Sequence, residues 1–384
     1  MESFRIAVPD DVLQDLRIRL ERTRWVDDFS NDSWEYGTNT AYLQELVHYW
    51  IHRYDWREQE RAMNAYPHFK SEIDALPIHF IHVRGNGPAP KPLVLSHGWP
   101  WTFWEYRKVI QALADPGAHG GDPEDAFHVV VPSLPGHAFS SPLRTTGMNF
   151  WRTSGIWVEL MSQLGYQRFV AHGADWGALV TADLGHRYPE RIMGAHLAMM
   201  APLDLITGGK PAPEDYDDDE APLIARTRKF FAEETGYWVL QSTRPQTIAA
   251  ALHDSPVGLL SWIVEKLRSW SDCHGDVETR FSKDDLLTTV MIYWVTQTFG
   301  TSARYYYEAA HHPWTAVHDH QPVVQAPVGV SILPAETITA PRRWAQRYFN
   351  LKQVRHHPSG GHYAAWEEPQ AIISDLREFA RGLG

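Results

Sequence analysis

Cysteine is almost absent from this chain, which has one, Cys273, among its 384 residues. A single thiol cannot form an intrachain disulfide, and it cannot supply the set of thiolates that a structural zinc site uses. We therefore expect a fold without disulfide or zinc-thiolate support, in which Cys273 is a bystander. A cytoplasmic location fits this composition, because disulfides belong to oxidising compartments.

Long apolar runs and positive charge are also scarce. No stretch approaches the roughly 18 uninterrupted apolar residues of a membrane-spanning helix. The first residues, MESFRIAVPDDVLQDL, are acidic where a signal peptide would be basic and then apolar. The 35 Lys and Arg residues face 47 Asp and Glu, for a formal net charge of −12. A soluble protein is predicted, with neither nucleic acid nor an anionic membrane as its partner.

Aromatic residues, in contrast, are abundant, and the order of apolar patterns indicates a fold class. The 17 Trp and 16 Tyr are expected to fill the core and to line an apolar pocket. Residues 10–24 and 40–53 repeat apolar side chains every three or four positions, which predicts two amphipathic helices. Short apolar runs then follow at 78–83, 92–98, 127–134 and 168–174, with helix-like segments between the later ones. This alternation predicts a mostly parallel, doubly wound sheet.

The pattern changes after residue 200, which indicates an insertion. The stretch ITGGKPAPEDYDDDEAP is rich in Pro, Gly and acids, and we interpret its acidic run as a solvated surface. Helical patterns rich in Trp and Tyr occupy about 223–310, and a strand pattern returns at 326–333. The expected organisation is an N-terminal helical extension over 1–90, a core over 91–205 and 326–384, and a helical lid over 206–325.

A glycine-flanked aspartate stands where a strand is expected to turn into a helix. The segment Gly173-Ala174-Asp175-Trp176-Gly177 has the spacing of G-x-S-x-G, the turn that presents a nucleophile at the end of a parallel strand. Both glycines suit that strained turn, since larger side chains would crowd the nucleophile and the returning helix. The serine hydroxyl is replaced by a carboxylate, so the sequence predicts the same turn with a different chemistry at Asp175.

The other parts of a nucleophilic site follow in the expected chain order, nucleophile, acid and then histidine. Glu336 lies just past a predicted strand, and His362 lies in a glycine-bounded loop. Taken singly, Glu336 could be a surface carboxylate, and most of the 21 histidines are structural or solvated. Upstream, HGWP follows a strand, where the Trp99 N–H can face the turn and form an oxyanion hole with the Trp176 N–H.

At these residues the chain resembles the microsomal-type epoxide hydrolases of the α/β-hydrolase superfamily, from about residue 3 to residue 380. The motifs that carry the resemblance are HGWP at 97–100, PSLPGHAFS at 132–140, GADWG at 173–177, ETGYWVLQSTRPQT at 234–247, DSPVGL at 254–259, SARYYYE at 302–308, LPAE at 333–336 and GGHYAAWEEP at 360–369. The resemblance implies the α/β-hydrolase fold, with the lid inserted in it and the N-terminal extension before it.

The resemblance also implies roles for individual residues. Asp175 is then the nucleophile, His362 the base and Glu336 its partner, while Tyr237 and Tyr306 hold the epoxide oxygen. Tyr305 and Tyr307 flank Tyr306, and neighbours on a helix face different ways, so at most one of the three should reach the pocket. Residues expected to contact the substrate are Trp99, Pro100, Trp101, Trp176 and Tyr305. Trp101 stands where relatives have a small residue, which is expected to reshape the pocket mouth.

The implied reactants are a small-molecule epoxide and water, with no metal and no cofactor. The aromatic content suggests a bulky or aryl epoxide, and the chain is similar to epoxide hydrolases of actinomycete enediyne antibiotic pathways. Mammalian-type members carry an N-terminal membrane anchor, whereas this chain begins at the helical extension, so a soluble enzyme is expected. A homodimer is compatible with the resemblance, although the sequence does not determine the oligomeric state.

Two other functions stay open at this point. The Asp-Trp-Gly tripeptide also occurs in haloalkane dehalogenases, where an indole N–H helps to bind halide. A hydrolase-fold binding protein without catalysis is the second alternative, although such proteins usually lack a member of the triad. The histidine-rich segment at 311–320 could suggest a metal site, but its spacing does not place ligands on one helix face, and a polar loop is expected there.

Overall fold

A sheet runs through the whole molecule. A computed structural model of the chain describes residues 1–383, and the sheet in that part has nine strands. They are Glu2–Phe4 (β1), His68–Ile73 (β2), Leu76–Val83 (β3), Lys91–Ser96 (β4), Phe127–Pro132 (β5), Phe169–Gly173 (β6), Ile192–Leu197 (β7), Val324–Ile332 (β8) and Phe349–His356 (β9). The spatial order is β1-β2-β3-β5-β4-β6-β7-β8-β9. The pairs from β5 to β9 are parallel and those among β1, β2, β3 and β5 antiparallel, which confirms a mostly parallel sheet.

Helices precede, connect and follow these strands. They are Asp10–Glu21 (α1), Thr40–His52 (α2), Trp56–Met63 (α3), Ile110–Ala114 (α4), Phe150–Gln163 (α5), Trp176–Arg187 (α6), Ala221–Lys229 (α7), Gly236–Thr243 (α8), Pro245–Asp254 (α9), Pro256–Trp270 (α10), Lys283–Thr296 (α11), Phe299–His311 (α12), Arg342–Tyr348 (α13), Ala364–Glu367 (α14) and Pro369–Arg381 (α15). Among residues 1–383 no single helix has the length and apolar character for a membrane crossing; α9 and α10 pass only as a pair, bent by 117° at their junction.

The N-terminal region contains the two predicted helices, α1 and α2, but it is not only helical. Strands β1, β2 and β3 extend the sheet at one edge, and β2 and β3 form a hairpin with Ile73 opposite Leu76. Asp74 and Ala75 make its turn with φ values of 54° and 58°. Such turns favour Asn-Gly or Asp-Gly, because both central residues have positive φ. The Asp-Ala pair gave no turn signal, so the sequence predicted the strand at 78–83, now β3, but not its antiparallel neighbours β1 and β2.

The core strands match the predicted apolar runs. All five residues of β6 are buried, as are the last four of β4 and of β5, because central parallel strands are covered on both faces. Strand β9, NLKQVRH after Phe349, was not predicted. It lies at the edge of the sheet with most residues exposed or half-buried, so its polar sequence lacks the apolar signal of a core strand.

The helical insertion lies between β7 and β8 and contains α7 to α12. Its acidic run is less solvated than expected from the sequence. Asp215 pairs with Arg347, Asp217 pairs with Arg343, and Asp219 lies 2.8 Å from Arg342. The three arginines belong to α13, so the run is held against a basic helix of the core. The sequence did not reveal this pairing, because the partners are more than 120 residues apart.

Candidate active site

The turn between β6 and α6 holds Asp175 in a conformation that side chains rarely adopt, with φ 52° and ψ −126°. A Cβ atom at Gly173 would lie 2.1 Å from the Gly177 carbonyl oxygen, and one at Gly177 would lie 1.8 Å from the Ser96 carbonyl oxygen. Both positions therefore require glycine, because the returning helix passes too close to the strands for any side chain. The turn directs the Asp175 side chain toward the loop that follows β4.

The loop after β4 donates a hydrogen bond to one of the two carboxylate oxygens of Asp175. The Trp99 N–H donates to Asp175 Oδ1 over 2.7 Å. The preceding residue also has to be glycine, since a Cβ at Gly98 would lie 2.3 Å from the Asp175 Cβ and 2.4 Å from Oδ1. Trp176 is the first residue of α6, and the first N–H groups of a helix have no partner within it. Of the two N–H groups predicted for an oxyanion hole, that of Trp99 thus contacts the carboxylate, and that of Trp176 belongs to the residue after Asp175.

His362 connects the carboxylate to Glu336. His362 Nδ1 hydrogen-bonds to Glu336 Oε1 over 2.8 Å, and Nε2 lies 3.3 Å from Asp175 Oδ2. The second contact is close, but it is not aligned as a hydrogen bond, and within residues 1–383 Nε2 has no other partner. Glu336 Oε1 also accepts from the Thr337 N–H at 2.6 Å and from its hydroxyl at 2.9 Å. The acid and the histidine are thus oriented, while one histidine nitrogen is left free beside the nucleophile.

The negative charges around His362 raise its pKa. Burial of the imidazole lowers its pKa, but the negative charges of Glu336 and Asp175, with their close contacts to the ring, outweigh burial and raise the pKa of His362 well above its usual value. A carboxylate at Asp175 therefore favours the imidazolium form. Loss of the Asp175 charge would remove part of that support, and the ring would more readily become a neutral base.

Two lid tyrosines line the same cavity as the carboxylate. Tyr237 at the start of α8 and Tyr306 in α12 are buried, with ring centroids 5.7 Å apart. Tyr237 stacks on Trp99 at 5.1 Å, and the edge of Tyr306 meets Trp176 at 4.7 Å. Among the described residues the Tyr306 hydroxyl has no hydrogen-bond partner. Burial first, and then nearby negative charge, raise the pKa of both phenols well above 10, so they stay protonated donors.

The structure distinguishes the three neighbouring tyrosines of α12. Only Tyr306 lines the cavity at Asp175. Tyr305 turns away, and its hydroxyl hydrogen-bonds to that of Thr153 over 2.7 Å. Tyr307 stacks on His311 with a centroid distance of 3.9 Å. The expectation that Tyr305 contacts the substrate is therefore wrong for this cavity, because its position on the helix directs it into the core.

The cavity at Asp175 is small and largely apolar. Its volume is about 30 Å³, and its walls include Trp176, Tyr237, Tyr306, Trp270 and His362. Of the residues expected to contact the substrate, Trp176 lines it. Trp99 and Pro100 are buried behind it, although Trp99 supplies its N–H and the stacking surface for Tyr237.

Trp101 does not shape the mouth of the cavity, contrary to the sequence-based expectation. It is 3% exposed and packs against Phe281, Tyr363 and Trp366, with centroid distances of 5.3, 4.9 and 5.3 Å. Its carbonyl accepts from the Tyr293 hydroxyl over 2.9 Å. The ring fills a neighbouring aromatic cluster instead, a packing choice that the sequence around HGWP does not reveal.

Three further residues of the site escaped the sequence analysis. The Trp270 carbonyl accepts from the backbone N–H of His362 over 2.9 Å, and the Trp270 ring lies 5.0 Å from that of Tyr237. Lys266, one turn earlier in α10, places Nζ 5.2 Å from the Tyr237 ring centroid and pairs with Glu265. Glu105 is buried, and its pKa is raised to about 8, chiefly by burial. All three were missed because the sequence around each of them has the pattern of an ordinary buried segment or helix surface.

The histidine-rich segment after α12 packs against the core. Trp314 Nε1 donates to buried Asp183 over 2.7 Å, and His318 Nε2 hydrogen-bonds to the His186 carbonyl over 3.1 Å. In the part of the chain that is described, no three His, Cys, Asp or Glu side chains come together as metal ligands. These contacts give the segment a packing role.

The sheet order, the strained turn after β6 and the acid and histidine that follow later strands define the α/β-hydrolase class. The family model for the alpha/beta hydrolase fold matches residues 91–313, and the model named epoxide hydrolase N terminus matches residues 1–106. This agreement confirms the predicted fold.

Relatives narrow the class. The chain is 37% identical over 399 residues to epoxide hydrolase 1 of Oryctolagus cuniculus, with 98% of this chain and 88% of the relative covered. It is 42% identical over 381 residues to a protein of Stigmatella aurantiaca that is provisionally named an epoxide hydrolase, with 99% and 84% covered. The structure of Aspergillus niger epoxide hydrolase superposes with a TM-score of 0.87 at 29% identity, covering 100% and 96%. The chain belongs to the epoxide hydrolase family and is an epoxide hydrolase.

Proposed function

We propose that this enzyme opens an epoxide to a vicinal diol through an ester formed on Asp175, with His362, Glu336, Tyr237 and Tyr306 as its other catalytic residues. The observation that carries the proposal is the division of labour between the two oxygens of Asp175. Oδ1 accepts the Trp99 N–H, while Oδ2 is 3.3 Å from His362 Nε2 without an aligned hydrogen bond. Oδ2 is thus the oxygen free to attack.

The first step forms a bond between Asp175 Oδ2 and one epoxide carbon and breaks the bond from that carbon to the ring oxygen. The ring oxygen leaves as a strongly basic alkoxide and needs a proton donor. The Tyr237 and Tyr306 phenols support this role, since both are buried, protonated and in the wall of the cavity at Asp175. Such a general acid typically contributes about 10² to 10⁴ in rate.

The second step releases the diol. Esterified Asp175 has an acyl carbon, which an epoxide lacks, so a water deprotonated by His362 Nε2 can attack that carbon. Oδ1 then carries the negative charge beside the Trp99 N–H. The bond from the acyl carbon to Oδ2 breaks, and His362 returns the proton to the leaving oxygen of the diol. Esterification also removes the Asp175 charge that helps to raise the pKa of His362. The imidazole thereby becomes a better base only after the ester has formed.

A haloalkane dehalogenase is the rival that shares the aspartyl ester. One observation favours it, because the Trp176 Nε1 donor is buried and, within residues 1–383, unpartnered. The paired phenols above Asp175 favour an epoxide instead, since an alkoxide needs a proton and a halide does not. The complete set of Asp175, His362 and Glu336 argues against a binding protein without catalysis.

The substrate proposal is a bulky or aryl epoxide, supported by the aromatic walls around Asp175. Its most specific form is a step in the biosynthesis of an enediyne antibiotic, which rests on sequence resemblance alone. We also propose a cytoplasmic location, because Cys273 is a single free thiol. The homodimer stays a prediction.

Trapping the ester tests the proposal directly. His362→Gln should still let Asp175 attack styrene oxide but leave the ester unhydrolysed, so intact mass should rise by one substrate molecule. Peptide mapping should place the addition within residues 173–177. Asp175→Ala is the matched control and should gain no mass. An unmodified His362→Gln protein, or an adduct outside the turn, would contradict the covalent mechanism.

Isotope labelling and a second substrate separate the remaining alternatives. In ¹⁸O-water with enzyme in excess, the heavy oxygen should enter the Asp175 carboxylate and not the first-turnover diol. Heavy oxygen in that diol would mean that water attacks the ring directly. With 1-chlorobutane, no chloride should be released; chloride release without diol from styrene oxide would identify a dehalogenase.

A further inference from the structure

A second and larger chamber lies beside the cavity at Asp175, and nothing in the reaction above uses it. Its volume is about 620 Å³, against about 30 Å³ for the inner cavity. The inner volume is enough for only one or two water molecules. An epoxide bound at Asp175 therefore has to place its other substituents elsewhere.

The two spaces share walls. Leu205, which begins a short helical turn after β7, and Ile338, just past Glu336, line both of them. Phe230 lines the inner cavity, and the next residue, Phe231, lines the outer chamber. Leu205 and Ile338 are thus the apolar boundary that a substituent on the epoxide has to pass to enter the outer chamber.

The outer chamber is built from apolar groups of the core and of the lid. Its floor includes Met200 and Pro202 beyond β7, and its roof includes Ile224 of α7 and Phe231. Apolar surface exposed to water in such a space is costly, at roughly 25 cal/mol per Å². The walls consequently favour an apolar occupant over water.

The charges at the chamber have one sign. Within the described residues the lining side chains include the cations Lys210 and Arg228 and no carboxylate. The Lys210 ammonium lies 4.7 Å from the centre of the Phe231 ring, so it caps an apolar wall. Neither cation forms an ion pair in the described part of the chain, in a protein whose net charge is −12. The far end of an occupant should therefore be neutral or anionic.

We propose that the outer chamber is a substrate subsite, and that the enzyme prefers epoxides with a long apolar substituent whose far end is neutral or anionic. The inference rests on the proposed role of Asp175, because that residue fixes the position of the reacting ring. The substituent runs from Asp175 past Leu205 and Ile338 and ends near Lys210 and Arg228. Selectivity for chain length is then set in the lid, away from the triad.

A homologous series of terminal epoxides measures this selectivity. Each methylene that enters the chamber is worth about a fourfold gain in kcat/KM. The ratio of kcat/KM for 1,2-epoxydodecane to that for 1,2-epoxybutane should be well above one in the wild-type enzyme. Ile224→Trp, and separately Thr227→Trp from the same helix, should lower that ratio at least about tenfold, the loss of roughly two buried methylenes.

The matched control is Ala225→Trp, the same substitution one residue along α7, where the side chain is exposed and does not line the chamber. Its ratio should equal that of the wild type. The subsite is refuted if both chamber variants keep the wild-type ratio, or if the wild type shows no preference for the longer epoxide. Circular dichroism checks that each variant folds. If one chamber variant does not fold, the other still tests the subsite.

Binding without catalysis separates this inference from the proposed function. In Asp175→Ala protein, 1,2-dodecanediol should bind more tightly than 1,2-butanediol by calorimetry, and adding Ile224→Trp should weaken only the longer diol. Equal binding of the two diols overturns the subsite, whereas full activity of Asp175→Ala overturns the role of Asp175. Among substrates of equal length, a terminal carboxylate should be preferred to a terminal ammonium, and the reverse would contradict the role of Lys210 and Arg228.

Discussion

The two sides of the active site differ in how their polar atoms are held. On the sheet side, Asp175 sits on a strained turn and accepts the Trp99 N–H, and Glu336 accepts several N–H and O–H donors besides His362. On the lid side, the Tyr306 hydroxyl has no partner within residues 1–383, and Tyr237 is positioned by ring stacking on Trp99.

The difference indicates which side is prepared for which task. Groups that have to keep one position through both chemical steps are fixed by backbone geometry, because a strained turn and short N–H contacts leave little freedom. Groups that have to bond to the substrate are buried with unused donors, a costly state that substrate binding relieves. We therefore expect lid substitutions to slow ester formation, and substitutions that displace Asp175 on the sheet side to slow both steps.

The largest expected effect comes from removing both lid donors. Tyr237→Phe and Tyr306→Phe should each slow ester formation, and the double variant should lose about 10² to 10⁴ in rate, as for loss of a general acid. Single-turnover measurements in a His362→Gln background isolate that step. Wild-type rates in the double variant would mean that neither tyrosine donates a proton in ester formation. Tyr307→Phe, on the same helix but stacked on His311 outside the cavity, is the control.

On the sheet side, Gly98→Ala tests the close approach to the nucleophile. The added methyl group would lie 2.3 Å from the Asp175 Cβ, so Asp175 has to move. A displacement of about 1 Å can cost on the order of 10²-fold, and we expect ester formation and hydrolysis both to fall. Gly117→Ala, whose new Cβ meets nothing nearer than 3.4 Å, should keep both rates. Loss of one step alone in Gly98→Ala would break the contrast between the two sides.

A smaller effect is expected at Lys266, which lies under the Tyr237 ring at 5.2 Å. A buried cation near the face of a phenol ring strengthens the hydrogen bond that the phenol donates. Removal of the Lys266 charge should therefore lower the rate of ester formation roughly tenfold, or by about 1.4 kcal/mol. Lys266→Met should slow ester formation and leave ester hydrolysis unchanged, whereas Lys266→Arg should restore most of the rate. Equal losses in the Met and Arg variants would assign Lys266 to packing.

The last prediction concerns stability on the sheet side. Burial raises the pKa of Glu105 from 4.5 to about 8, so the folded state keeps a proton that the unfolded state loses above about pH 4.5. The contribution of this bound proton to the free energy of unfolding is fully present below about pH 4.5 and is lost as the pH rises to about 8. Glu105→Gln carries no titrating proton, so its stability relative to wild type should rise by roughly 2 to 4 kcal/mol between pH 5 and 8.

Urea unfolding at pH 5, 6, 7 and 8 checks this difference. Glu58→Gln, at an exposed position of α3, should show no such trend. A constant difference between Glu105→Gln and wild type across the window would mean that Glu105 is ionised in the folded protein.

The sequence predicted the features that depend on neighbouring residues better than those that depend on distant ones. Strands β4, β5 and β6 and the turn at Asp175 were visible because their apolar runs and glycines lie next to each other in the chain. The β2–β3 hairpin and edge strand β9 were missed, since an Asp-Ala turn and a polar edge strand resemble loops. The pairing of the acidic run with α13 was also missed, because it joins distant segments.

The sequence by itself determined the parallel sheet, the aspartate at the turn and the order of aspartate, glutamate and histidine, because each depends on local spacing or chain order. Only the tertiary structure decided which of Tyr305, Tyr306 and Tyr307 faces Asp175, and that Trp101 packs away from the cavity. It alone decided that Lys266 lies under Tyr237 and that a larger chamber adjoins the inner cavity. The reason is that side-chain direction in a helix, and the space between helices, depend on packing among segments far apart in the chain.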